Sequence, residues 1–216
     1  MVDSFLADIT RVALTAAQQH GFALGGGNAL VLYGVVDRPT ADVDLFTDRD
    51  GAIRESANAV LVALTAAGFT AAEVPESGDL DGFVFDLDDL IVEIDAARGD
   101  RVARLSLACQ VRTHSPIMME IGPVVHLDDL VAWKIAAIIN RREVRDYVDT
   151  AALLGGHDAA DLIAMARSVD SGLEEADVVM VGRVLDEIPD GAFARYGISS
   201  PGAIADLRAR FAAWPR

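Results

Sequence analysis

LGGGNALVLYGVVDRPTADVDLFT, residues Leu24 to Thr47, places three glycines after a short apolar run and then sets Asp-Val-Asp inside a second one. Folding alone requires neither feature. Gly25, Gly26 and Gly27 stand between an expected strand, FALGG, and an expected helix, NALVLYG, which Asn28 caps and Gly34 ends. Glycine lets the backbone turn tightly and approach a ligand closely. The helix that follows offers free N–H groups to an anion. No Gly-Lys-Ser/Thr follows, so this is not a P-loop, and the spacing is not that of a dinucleotide fingerprint. In ADVDLFT the side chains alternate: Val43, Leu45 and Thr47 face one way, Asp42, Asp44 and Phe46 the other. Two carboxylates side by side on a strand repel each other and lose hydration, a cost that a shared cation offsets. Mg²⁺ takes hard oxygen ligands, often one or two carboxylates plus substrate phosphates. A tight turn accounts for the glycines alone, and a polar strand face for the aspartates alone. Together they make a phosphate cradle beside a metal pair, which is the equipment of phosphoryl transfer.

Composition narrows the setting. The chain has 216 residues, enough for one sizeable domain or two small ones. Its hydrophobic share of 52% calls for a packed core rather than disorder. A formal net charge of -16 argues against a broad nucleic-acid-binding or anionic-membrane-binding surface, while leaving room for a local arginine cluster to meet RNA. One cysteine, Cys109, excludes an intrachain disulfide. MVDSFLADIT does not read as a signal peptide. No apolar run approaches the length of a membrane span, so a cytoplasmic protein is the expectation.

Periodicity divides the chain. Phe5, Ile9, Val12 and Ala16 fall at helical spacing across residues 3–19. DRDGAIRESANAVLVALTAAGF reads as a helix stopped by Gly68, and TAAEVP as a strand. GFVFDL and LIVEIDAA read as a hairpin around Asp88-Asp89. From LDDLVAWKIAAIINR onward every segment is helical. The expected fold is therefore α/β (α+β): a core with a mixed twisted sheet over residues 1–125, then a helical C-terminal half over 126–216, with the active site in the cleft between them.

Three further groups of residues carry chemistry. LIVEIDAA offers Glu93 and Asp95 on one strand face, and if that strand neighbours the Asp42–Asp44 strand, one of them completes a two-ion site; Asp95 is preferred, with Glu93 close behind. Lys134 is the only lysine in the chain and lies on the row Leu130, Lys134, Ile138 at the edge of an apolar helix stripe. A half-buried ammonium needs an anionic partner, and Asp146, Asp149 or a triphosphate meets that need. Asp146 and Asp149, three apart, share a helix face, flanked by Arg142 and Arg145. The four histidines, His20, His114, His126 and His157, do not cluster at metal-ligand spacing.

Taken together, GGGNALVLYGVVDRPTADVDLF and WKIAAIINRREVRDYVD resemble the nucleotidyltransferases of the AbiEii-type toxin family, within the DNA polymerase beta-like superfamily. The resemblance rests on a Gly-Gly turn, a short helix, an Arg and a Ser/Thr (here Arg38 and Thr40), D-x-D, and later a Lys, an Arg seven residues on and R-D-x-x-D. It implies a polymerase beta-like core. Asp42 and Asp44 would hold Mg²⁺ or Mn²⁺, with Asp95 or Glu93 as third ligand. Gly26 and Gly27 would form the turn under the triphosphate. Lys134 would contact the nucleotide phosphates, and Asp149 would be the acidic residue that follows it. Arg38, Thr40, Arg145 and Asp146 would support substrate binding. Where many superfamily members place a serine after the two glycines, this chain has Gly27, so backbone N–H groups or Asn28 take over. The implied activity is transfer of a nucleoside monophosphate from an NTP to a hydroxyl, the tRNA 3′ end in some members, by the toxin of a toxin–antitoxin pair. Two other readings stand beside it: a catalytically silent member acting as a binding module for its antitoxin, and an enzyme whose acceptor is a small molecule or a protein hydroxyl.

Overall fold

A computed structural model describes residues 3–75 and 91–216. The chain divides into two compact units, one of residues 1–29 and 40–126 and the other of 30–39 and 127–216. The first unit holds a mixed seven-stranded sheet in the order β3-β4-β5-β2-β1-β7-β6. Its strands are β1 (Ala23–Leu24), β2 (Asp42–Thr47), β3 (Thr70–Glu73), β4 (Ile91–Arg98), β5 (Arg101–Cys109), β6 (Ile117–Met119) and β7 (Gly122–Val124). β2 lies between β1, with which it is antiparallel, and β5, with which it is parallel. This central place explains its composition: Val43, Leu45 and Thr47 are buried on one face, while Asp42, Asp44 and Phe46 are half-buried on the other.

Helices α1 (Ser4–Ala16) and α3 (Ala52–Ala66) belong to the same unit. Asp3 caps α1, its carboxylate accepting from the Phe5 N–H at 2.8 Å, and Phe5, Leu6, Ile9, Ala13 and Leu14 are buried along its apolar stripe. α3 buries Ile53, Ala57, Val60 and Leu64 at helical spacing. α2 (Gly26–Leu32) begins two residues before Asn28. Asn28 is therefore inside the first turn rather than a cap, and its side chain is used elsewhere.

The hairpin of this unit is β4–β5, closed by Gly99-Asp100 with Arg98 opposite Arg101. Gly99 adopts φ +63°, as the first central residue of a two-residue turn with a left-handed start requires. The hairpin expected around Asp88-Asp89 draws on residues 82–89, which lie outside the described residues. β5 alternates as a half-buried strand should, with Ala103, Leu105 and Leu107 inward and Arg104 and Ser106 on the opposite face.

The second unit contains α4 (Leu127–Arg141), α5 (Val144–Leu153), α6 (Ala159–Val169), α7 (Glu175–Glu187) and α8 (Pro201–Arg210). One apolar cluster joins them, including Ile135, Ile139, Leu162, Val178, Leu185, Phe193 and Phe211. Its buried polar ends are satisfied: the Tyr147 hydroxyl donates to the Val181 carbonyl at 3.0 Å and the Trp214 indole N–H to that of Val178 at 2.9 Å. Among the described residues, no helix is long and apolar enough to cross a membrane.

Two substitutions test this packing in chemical denaturation. Leu105→Ala, at a fully buried site on β5, is expected to lower stability by about 2–5 kcal/mol. Tyr147→Phe, which removes the buried hydroxyl's bond to the Val181 carbonyl, should cost about 1 kcal/mol.

Candidate active site

In the first unit the site starts from the period of a strand. Asp42 and Asp44 are two residues apart on β2, so both carboxylates rise from one sheet face. The glycine turn meets them there. The Gly25 N–H donates to the Asp44 carbonyl at 2.8 Å, which fixes the turn to the strand. Gly26 has φ +58°, and a Cβ built on it would lie 1.8 Å from Asp44 Oδ2. Only a residue without a side chain fits beside that carboxylate.

Asn28, 1% exposed, ties the same parts together. Its side-chain amide donates to the Asp42 carbonyl at 2.6 Å, and its oxygen accepts from the Thr40 hydroxyl at 2.5 Å. Both polar ends of Asn28 and the hydroxyl of Thr40 thus hold the backbone that presents Asp42, and Gly27 continues the first turn of α2. Two oxygen ligands on one face, beside a backbone stripped of its side chain, fit a hard divalent cation.

Glu93 and Asp95 occupy the same sheet face, but β4 is not the neighbour of β2. β5 lies between them, which separates the two carboxylate pairs by two strand spacings, roughly 10 Å. The intervening position is filled by Arg104, opposite Asp42 on one side and Asp95 on the other. Arg104 donates from Nε to Asp95 at 2.6 Å and from Nη1 to Glu93 at 2.5 Å. These bonds, Asp95 first, hold the guanidinium more firmly protonated than an exposed one. Sequence patterning alone does not single out Arg104; the Arg-Gly-Asp-Arg turn and the alternation after it are the signal for its strand.

The second unit builds a buried charge cluster. Lys134 and Arg141 are two turns apart on α4, Asp146 and Asp149 one turn apart on α5, and Arg38 comes from the 30–39 segment. Lys134 Nζ lies 3.2 Å from Asp146 and 2.9 Å from Asp149. Arg38 grips Asp149 with Nε at 2.5 Å and Nη2 at 2.8 Å, and Arg141 grips Asp146 at 2.9 and 3.0 Å. Both carboxylates are fully buried and Lys134 is 9% exposed. Both aspartates, rather than one, partner the lysine. Two carboxylates satisfied by forked guanidinium groups are what makes such burial tolerable. Burial raises the Asp146 carboxyl, but the bonds from Arg141 and the charges of Lys134 and Arg141 outweigh it and leave it below its ordinary value. Arg145 Nε lies 2.8 Å from Glu143. Elsewhere, in the first unit, His114 and His126 stack with ring centroids 4.4 Å apart, a proximity their twelve-residue spacing conceals.

Two outcomes are expected. Gly26→Ala should displace the Asp44 carboxylate and abolish divalent-cation binding, read by Mn²⁺ titration, with the far-ultraviolet circular dichroism retained. Asp146→Asn should cost about 1.5–3 kcal/mol at neutral pH by replacing the buried carboxylate that accepts from Lys134 and Arg141 with a neutral amide. Because the folded carboxyl is depressed, its contribution is present above the ordinary value of 3.8 and is lost as pH falls below it. The gap between wild type and variant should therefore narrow in acid denaturation curves below that pH.

Comparison with known proteins bears on the fold and the family. No curated protein matches the sequence. The fold is similar to MenT4, the nucleotidyltransferase toxin Rv2826c of Mycobacterium tuberculosis H37Rv, with a TM-score of 0.62 and 17% identity over 97% of this chain and 82% of that one. It is also similar to a putative nucleotidyltransferase from H. pylori (TM-score 0.57, 14% identity, 95% and 91% of the two chains). JHP933 from Helicobacter pylori is a third likeness (TM-score 0.54, 13% identity, 97% and 91%). Residues 9–209 match the family described as nucleotidyl transferase AbiEii toxin of type IV toxin–antitoxin systems, and the chain belongs to that family of toxin nucleotidyltransferases.

Proposed function

We propose that this nucleotidyltransferase moves a nucleoside monophosphate from an NTP to a hydroxyl, with the tRNA 3′ end as the favoured acceptor, and that it is the toxin of a toxin–antitoxin pair. The observation that carries the reading is the pair Asp42 and Asp44 on one strand face with Gly26 pressed against Asp44. In this reading these two aspartates hold Mg²⁺ or Mn²⁺. A bound divalent cation neutralises the polyphosphate charge and lowers the pKa of the attacking hydroxyl. The acceptor oxygen bonds to the α-phosphorus as the bond to pyrophosphate breaks, and the hydroxyl proton passes to solvent or to the departing pyrophosphate, so atoms and charge balance without a further reactant.

The chain's own residues do the positioning. Gly26 and Gly27 give the triphosphate a bare backbone to approach. Asn28 and Thr40 hold the Asp42 backbone and so fix the carboxylate pair. Lys134 is the phosphate contact: an ammonium has three N–H groups, and Asp146 and Asp149 occupy two of them. Arg38 and Arg141 share the two aspartates, which keeps them from neutralising the lysine entirely. Arg145, whose Nε lies 2.8 Å from Glu143, is proposed to support substrate binding.

The test is transfer from each radiolabelled NTP into a total RNA pool with Mg²⁺, for wild type and Asp44→Asn. Label in RNA with the wild type only, lost on chelation, is the expected result. Label in a small molecule or a protein instead would move the acceptor out of RNA. No label with any NTP would favour a silent member that works by binding its antitoxin, and equal label in both proteins would end the role given to Asp44.

A further inference from the structure

Arg104 occupies the place on the sheet where it does the most harm or none. It stands on β5 directly opposite Asp42, on the same face and one strand spacing away, about 5 Å. A guanidinium swung toward β2 would meet Asp42 as an ion pair and would compete with any cation that carboxylate holds. In the structure it is turned the other way. Nε and Nη2 lie on Asp95 at 2.6 and 3.4 Å, and Nη1 lies on Glu93 at 2.5 Å. Asp95 is opposite Arg104 on the far strand, just as Asp42 is on the near one. Glu93 is two residues along, so it reaches the same side chain and tips the balance. An arginine held through three of its donors by two carboxylates is fixed in direction as well as position.

We infer that Glu93 and Asp95 are a tether that holds Arg104 off Asp42 and so removes a guanidinium that would compete with a divalent cation for that carboxylate. The inference rests on the metal-binding role proposed above for that pair and deepens it: Glu93 and Asp95 act as positioning residues, working through Arg104 rather than as ligands. The arrangement accounts for two acidic side chains on a strand that does not border the metal pair. It also accounts for a basic side chain on the strand that does.

Mn²⁺ binding measured by electron paramagnetic resonance, without nucleotide or turnover, tests this. The proteins are wild type, Glu93→Gln/Asp95→Asn, the same pair with Arg104→Met, and Asp44→Asn. The titrations are run in 0.5 M KCl, so that charges some two strands away are screened and a direct ion pair is felt. The double variant is expected to bind Mn²⁺ about 10–100-fold more weakly, the range for partners that orient metal ligands. Adding Arg104→Met should restore binding toward wild type, because the competing guanidinium is gone; such rescue also shows that the double variant had folded. A double variant that binds as wild type overturns the tether alone, as does a triple variant as weak as the double. Wild type that binds no Mn²⁺, or Asp44→Asn that binds as well as wild type, overturns the metal-binding role and the tether with it.

Discussion

Gly26 lies against the Asp44 carboxylate with no room for even a methyl group between them, and the first unit is arranged around that contact. The glycine turn must adopt a left-handed backbone there, the strand must present its second aspartate toward the turn, and the turn must be fastened to the strand. The Gly25 N–H and the Asn28 side chain do the fastening from two directions. Neither bond is strong; a buried hydrogen bond contributes about 1 kcal/mol net. Their value is directional, because they fix the backbone from which Asp42 and Asp44 project. Central placement between β1 and β5 holds β2 along both edges.

The second unit solves a different electrostatic problem. It buries two carboxylates completely and must leave neither unpaired. Forked guanidinium groups take two bonds each, and a single ammonium spans both acids. Such a cluster is weak evidence for net stability, since well-packed apolar side chains often do as well. What it supplies is register: α4, α5 and the 30–39 segment each contribute charges that match only when all three segments are in place.

Much of this was legible in the sequence. The D-x-D alternation predicted the two faces of β2 residue by residue, since a strand period of two leaves no freedom once Val43 and Leu45 are placed inside. The change to uniform helix after residue 126 was equally plain. The partners of Lys134 could be narrowed to Asp146 and Asp149 because helix geometry puts both on one face, although their simultaneous use could not be read from spacing. Three things were hidden for physical reasons. Asn28 looks like a helix cap because caps favour its short amide, but the helix opens on glycines two residues earlier and the amide is spent on tertiary bonds. The strand carrying Arg104 follows a two-residue turn whose Gly-Asp is a weaker mark than the acidic pair further upstream. The stacking of His114 on His126 depends on how β6 and β7 return the chain, which no local pattern encodes.

Lys134 is the only lysine among 216 residues, and it is nearly buried between two carboxylates. Chemistry directed at side-chain amines, from acylating reagents to acetyltransferases and isopeptide-linked degradation tags, therefore meets no accessible handle while the helical unit is folded. Tryptic cleavage is likewise confined to arginine in the native protein. Reactivity of that one amine toward an acylating probe becomes a site-specific report on the opening of its own unit, free of background from any other lysine side chain.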